Sequence, residues 1–152
     1  MKFRLRCLQR HYVLSGVVRG NELRPDPRLP RGAQEFWRDA GLLECDGGVV
    51  AWHNGRVVGF CRYGLDVDTG NIKAAGWITM MGTWVSRRYR RHGLAIRMWR
   101  LVLRRARRHA KIKVVTLSPE GAAMVRRLRA VYPRLRFHLY VGQLSSPEKE
   151  IR

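Results

Sequence analysis

The sequence predicts an α/β domain on a mixed sheet, antiparallel in its amino-terminal half and closed by a βαβ crossover. Three observations carry this. Asn54-Gly55 separates two β-rich runs, "VVAWH" and "RVVGFCRYGL", and Asn-Gly tolerates positive φ at both positions of a tight hairpin turn. A third run, "GWITMMGTWV", follows a polar loop and reads as a strand antiparallel to the second. Beyond it come a helix, the apolar run "KIKVVTL", another helix and "PRLRFHLYVG", which together make a crossover. A chain of 152 residues suits one domain, expected over 1–144, with 145–152 as a polar tail.

Taken in order, Phe3, Leu5 and Cys7 alternate with Arg4 and Arg6, the period of a half-buried strand. "HYVLSGVV" continues or follows it, a proline-rich loop spans 25–30, and a short helix is expected over 33–43. The hairpin and third strand come next. The stretch 89–111 then reads as a helix of about four or five turns. In the second helix Ser118 is placed as N-cap, Pro119 at the first helical position and Glu120 in the first turn.

Composition excludes several classes. No apolar run reaches membrane-spanning length, and the amino terminus lacks the apolar block of a secretory signal. Cys7, Cys45 and Cys61 are scattered, odd in number and form no CxxC pair, so neither a disulfide framework nor a metal site is expected, and the setting is expected to be cytoplasmic. Charge is the outlier: 31 Lys and Arg against 11 Asp and Glu give +20. Such a field opposes compaction unless anions offset it. Arginine outnumbers lysine 26 to 5, which a codon bias would explain, but that bias would not explain the shortage of acids.

The segment "TWVSRRYRRHGLAIRMW" runs strand, basic loop, glycine, helix. Free N–H groups and the dipole at a helix start attract anions, and Gly93 lets the backbone approach a bulky ligand. With Arg90, Arg91 and His92 at the mouth, a pyrophosphate site is expected there. This motif, Arg90-Arg91-His92-Gly93-Leu94-Ala95, together with the hairpin and long strand before it and the βα unit after it, resembles the GNAT N-acyltransferase superfamily, whose motif is Arg/Gln-x-x-Gly-x-Gly/Ala. The resemblance covers roughly 49–141 by pattern. It implies a GNAT-like fold and an acyl-CoA, acetyl-CoA first, with its pyrophosphate on the amides of Arg90, Arg91, His92, Gly93, Leu94 and Ala95. It also implies that the pantetheine pairs with the backbone of Trp84 and Val85.

Acyl transfer to an amine must deprotonate the amine, stabilise the thioester oxygen and protonate the departing thiolate. Many relatives place a Glu on the third strand. Here that strand has none, and no acid occurs between Asp68 and Glu120, so a carboxylate base would have to come from the hairpin loop or the amino-terminal region. His53 is the alternative base, or else a solvated strand end. The resemblance points to Tyr132 for the thiolate, with helix-end packing as the alternative. It also points to Ser118 where relatives often carry an Asn beside the cofactor, with a plain N-cap as the alternative.

On the first long helix Leu94, Met98, Leu101 and Val102 take the spacing of a buried face, broadened by Ile96, Trp99 and Leu103. Arg97, Arg100, Arg104, Arg107, Arg108 and Lys111 line the other face, extended by Arg126, Arg127, Arg129, Arg134 and Arg136. Like charges at this spacing cost about 0.2–0.5 kcal/mol each. Bound acyl-CoA accounts for the helix start but not for charge along its whole length. Nucleic acid is therefore the expected partner and acceptor, through phosphate contacts. Size, charge and fold also resemble the phage Mom-like branch that elaborates DNA bases. The alternatives are a small-amine or protein acetyltransferase, and a GNAT-shaped protein that only holds nucleic acid, its basic face otherwise solvated.

Overall fold

Alternation at the amino terminus and the β-rich runs flanking Asn54 become the first half of one six-stranded sheet. The computed structural model describes residues 2–9, 18–19, 22–23, 45–54, 56–67, 71–115 and 118–140. The elements are β1 (Arg4–Gln9), β2 (Val18–Arg19), β3 (Glu22–Leu23), β4 (Gly47–His53), β5 (Arg56–Leu65), β6 (Trp77–Val85), α1 (Leu94–Leu103), β7 (Lys111–Val115), α2 (Pro119–Val131) and β8 (Arg136–Tyr140). The main sheet runs β1-β4-β5-β6-β7-β8, antiparallel from β1 to β6 and parallel from β6 to β8. The expected antiparallel half and crossover are both present. β2 and β3 form a separate two-stranded ladder within and just beyond the run expected to extend or follow the first strand. The helix expected over 33–43 and the tail 145–152 lie outside the described residues.

The hairpin pairs His53 with Arg56, leaving a two-residue turn in which Asn54 takes φ 49°. Asparagine tolerates that left-handed value better than any residue but glycine. Both helices cover one sheet face. Val49, Ala51, Cys61, Ile78, Met80, Ile112 and Val114 face them, and Leu94, Met98, Trp99, Val102 and Leu103 of α1 and Val125 and Leu128 of α2 complete the core. Burying each large apolar side chain contributes about 1.5–3 kcal/mol. Gly59 lets α1 come close: a Cβ there would lie 3.1 Å from the Trp84 carbonyl and 3.4 Å from Leu94 Cδ2 and Met98 Cε.

One element departs from expectation. α1 spans ten residues, not four or five turns. Leu103 is its last buried position, and the chain turns through Arg104–Ala110 so that the Lys111 N–H reaches the Gly76 carbonyl at 2.9 Å and β7 starts beside Trp77. Sheet register ends the helix. No glycine or proline marks the stop, and the arginine repulsion at three- and four-residue steps makes continuation less favourable.

Burial pushes the Cys61 thiol and the Tyr63 phenol above their ordinary pKa values. A raised folded-state pKa keeps a proton that the unfolded chain releases. Stability from these groups is complete below the unfolded thiol's range, about 8.5, and is lost as pH rises. The melting temperature is therefore expected to fall progressively above about pH 8.5, and Cys61→Ala to remove part of that decline in a melting series across pH 7–11.

Candidate active site

β6 and β7 pair only over Trp77–Met80 and Lys111–Val114. β6 continues to Val85 against β5, so from Met81 onward its other edge has no β7 partner among the described residues. The split begins at a bulge: Arg62 pairs with Gly82 and Tyr63 with Met80, which leaves Met81 unpaired. A bulge bends its strand and re-aims the groups that follow.

Peptide orientation beyond the bulge follows from strand alternation. The Ser86 N–H donates to the Val58 carbonyl at 2.9 Å, and the Trp84 carbonyl lies against Gly59, so Ser86 and Trp84 turn their peptide groups towards β5. Thr83 and Val85 therefore present theirs to the open edge. Of the two residues expected to offer backbone to a pantetheine, Val85 turns its peptide groups to the opening, its carbonyl accepting from Arg90 Nε, and Trp84 turns its own towards β5. Trp84 is instead held in the ladder, its ring stacked on Phe60 at 5.8 Å. Thr83 is locked from the helix side, where its hydroxyl accepts from Trp99 Nε1 at 2.7 Å.

The loop after β6 is built from backbone. Arg87–Tyr89 form a 3-10 turn, with the Tyr89 N–H on the Ser86 carbonyl at 2.8 Å. Arg91 at φ 64° and Gly93 at φ 69° then place two left-handed residues within three positions. Such alternation turns successive N–H groups into one concavity, an anion nest, and the first N–H groups of α1 add to it. No acid occupies the first turn of α1, and no side chain caps it. Arg87, Arg88, Arg90, Arg91, His92 and Gly93 are exposed around the concavity. A Cβ on Gly93 would meet nothing within 4 Å, so the space before the nest is open. Arg90 Nε donates to the Val85 carbonyl at 3.0 Å, tying the loop to the strand end.

An aromatic group supports the loop from the β1 side. The Tyr89 ring lies 5.4 Å from His53 and 6.0 Å from Phe3, and the Arg97 guanidinium sits 5.5 Å over Phe3. His53, the candidate base, belongs here. Its Nδ1 lies 2.9 Å from the Lys2 carbonyl, and β5 separates its strand from β6. Tyr132 is also displaced from its expected role. α2 starts at the upper end of β7 and runs away from the opening, and Tyr132 Oη donates to the Arg100 carbonyl at 3.3 Å, about 10 Å down α1 from Gly93. Ser118 is the N-cap, its hydroxyl accepting from the Gly121 N–H at 3.0 Å at the end of α2 nearest the opening.

Within the basic stripe, Arg97, Arg100 and Arg104 share the exposed side of α1. Arg107 and Arg108 lie past the helix, and the Arg107 guanidinium is turned to Gly76, 3.3 Å from where a Cβ would stand. Lys111 leaves the stripe altogether: it lies in β7 with its ammonium 4.8 Å over the Trp77 ring. Sequence reasoning missed Thr83, Trp99 and the Met81 bulge. The one available signal was Gly82 inside an otherwise apolar strand, where glycine often marks a bulge.

A nest for an anion, an open strand edge beside it and free space at Gly93 fit the diphosphate and the amide-bearing arm of a coenzyme A thioester. The sequence model described as the acetyltransferase (GNAT) family matches residues 17–135. The chain belongs to the acetyltransferase (GNAT) family. It is accordingly an acyl-CoA-dependent N-acyltransferase. A GNAT-family acetyltransferase from Streptococcus pneumoniae superposes with a TM-score of 0.54 at 11% identity, over 97% of this chain and 100% of its own. The ribosomal-protein-alanine N-acetyltransferase of Brucella melitensis gives 0.52 at 13%, over 99% of both chains. An aminoglycoside N-acetyltransferase in complex with CoA gives 0.46 at 13%, over 98% of both. At these identities the likeness to the first two is one of fold. No curated protein matches in sequence. Among the described residues of this GNAT chain no helix is long and apolar enough to cross a membrane, and no cluster of His, Cys, Asp or Glu could hold a metal.

Two variants test the site. Gly93→Ala is expected to cost about 1 kcal/mol of stability, since the left-handed backbone is strained while the side chain clashes with nothing. It is expected to weaken acetyl-CoA about tenfold or more, because its methyl occupies the approach to the nest; calorimetric titration and thermal melts separate the two effects. Tyr132→Phe is expected to keep kcat within about twofold and to lose only about 0.5–1 kcal/mol of stability, in steady-state assays and denaturant titrations.

Proposed function

We propose that this GNAT enzyme transfers an acetyl group from acetyl-CoA to a neutral amine carried on nucleic acid, an exocyclic base amine being the type case. The split of β6 from β7 beside the loop of Arg90, Arg91, His92, Gly93, Leu94 and Ala95 carries the acyl-CoA half of this reading. The amides of that loop hold the diphosphate, and the Thr83 carbonyl and the Val85 N–H pair with the pantetheine arm as an added strand would. The Thr83 N–H, the outward donor nearest the Met81 bulge, polarises the thioester carbonyl. A C–N bond forms, the C–S bond breaks, and the amine proton ends on the thiolate to give free CoA.

The acceptor half rests on charge and on the proton. Among the described residues no carboxylate lines the open edge. Asp46 accepts from the Leu65 N–H and Asp66 from the Gly76 N–H, while Glu120 lies in the first turn of α2. An alkylammonium acceptor needs a base to remove its proton, and a surface of +20 repels it. A neutral amine on a polyanion meets neither obstacle. One assay tests the acceptor. Incubation with labelled acetyl-CoA and DNA, tRNA, protein or small amines in turn is expected to place label in digested nucleosides. Label only in small amines or protein would overturn the acceptor assignment.

A further inference from the structure

The outward sides of α1 and α2 form one cationic surface, of which Arg97 alone, over Phe3, touches the group that supports the acyl-CoA loop. On α1, Arg97, Arg100 and Arg104 stand exposed opposite the buried Leu94, Met98, Trp99, Val102 and Leu103. On α2, Arg126 and Arg127 stand exposed opposite Val125 and Leu128. The helices run parallel because each descends from one of two parallel strands, β6 and β7. The Tyr132 hydroxyl on the Arg100 carbonyl at 3.3 Å fastens the end of α2 to the flank of α1. The plate extends about 10 Å along α1 and about 8–10 Å between the helix axes. Its upper end is the phosphate loop itself.

No acid offsets this plate from within the described structure. Repulsion along α1 costs about 0.2–0.5 kcal/mol per pair, so an external anion gains by docking here. The chemistry favours phosphate over an acidic protein segment. Guanidinium forks match phosphate oxygens, and a peptide would need an apolar anchor, whereas Val131, 48% exposed at the end of α2, is the one large apolar residue exposed among the described residues.

We propose that the α1–α2 plate docks the phosphate backbone of nucleic acid, contiguous with the acyl-CoA loop, so that nucleic acid and acyl-CoA weaken each other's binding. The coupling alone rests on the acyl-CoA reading above. Each polyanion neutralises field that the other uses, and linkage makes the loss reciprocal. A several-fold loss still permits both to be bound at once.

The test is fluorescence anisotropy of a labelled mixed-sequence duplex between 50 and 300 mM salt, with the Kd of acetyl-CoA measured with and without saturating unlabelled duplex. A log–log salt slope of about −4.5 is expected from five phosphate contacts. The triple variant Arg97→Gln/Arg100→Gln/Arg104→Gln is expected to shrink the slope by about 3. Lys73→Gln, in the exposed β5–β6 loop, is expected to leave it unchanged. Melts of each variant confirm that the exposed changes leave the fold intact. Acetyl-CoA is expected to bind several-fold more weakly with duplex present at low salt, and duplex more weakly by the same factor with acetyl-CoA present. No duplex binding at 50 mM salt, or a slope untouched by the triple variant, overturns the plate. Poly-glutamate displacing duplex at equal charge concentration overturns the nucleic-acid assignment in favour of an acidic protein partner. Equal acetyl-CoA affinity with and without duplex overturns the coupling. Failure of acetyl-CoA to bind at all overturns the coupling and the reading beneath it, and leaves the plate standing.

Discussion

The separation of β6 from β7 after Met80 is the constraint from which the site follows. A paired strand spends its peptide groups on its neighbours. Here one extra residue, Met81, bends β6 just where the parallel ladder ends, and the next residues keep their β5 partners while losing their β7 side. The result is a strand edge inside the sheet, not at its margin. An edge of that kind can recognise an amide-bearing chain through backbone alone, which is why the site needs few special side chains.

The rest of the fold holds that edge in place. Trp99 fastens Thr83 from below, Gly59 lets α1 press against the strand end, and Arg90 ties the loop to Val85. The aromatic group of Phe3, His53 and Tyr89 steadies the loop from the other side. Against these supports the loop keeps a strained feature, Arg91 in the left-handed region, a conformation costing about 1–2 kcal/mol that survives only where the surroundings impose it. It turns N–H groups outward into the nest.

Charge acts on a different scale. The nest and the edge present backbone groups that suit a diphosphate and an amide chain at short range. The field of the whole chain selects the sign of whatever approaches, and it disfavours ammonium acceptors before they arrive. β6 itself carries no carboxylate, and the acceptor proposed above, a neutral amine on an anion, is of the sign that this field admits.

Local pattern was enough for much of this. The period of Phe3, Leu5 and Cys7, the Asn54-Gly55 turn, the Ser118-Pro119 cap and the phosphate loop at Gly93 each depend on residues close in sequence, so the chain alone determined them. It could not determine where α1 stops, since Lys111 must meet Trp77 across the sheet and no breaker marks that need. Nor could it tell that the Tyr132 hydroxyl meets the Arg100 carbonyl, that His53 lies against Lys2 and Tyr89, or that Thr83 turns its peptide to the opening and Trp84 does not. Those facts depend on register between strands distant in sequence. A single bulge, carrying no strong residue signal of its own, moves every later peptide group to the other side, so only the tertiary structure decided them.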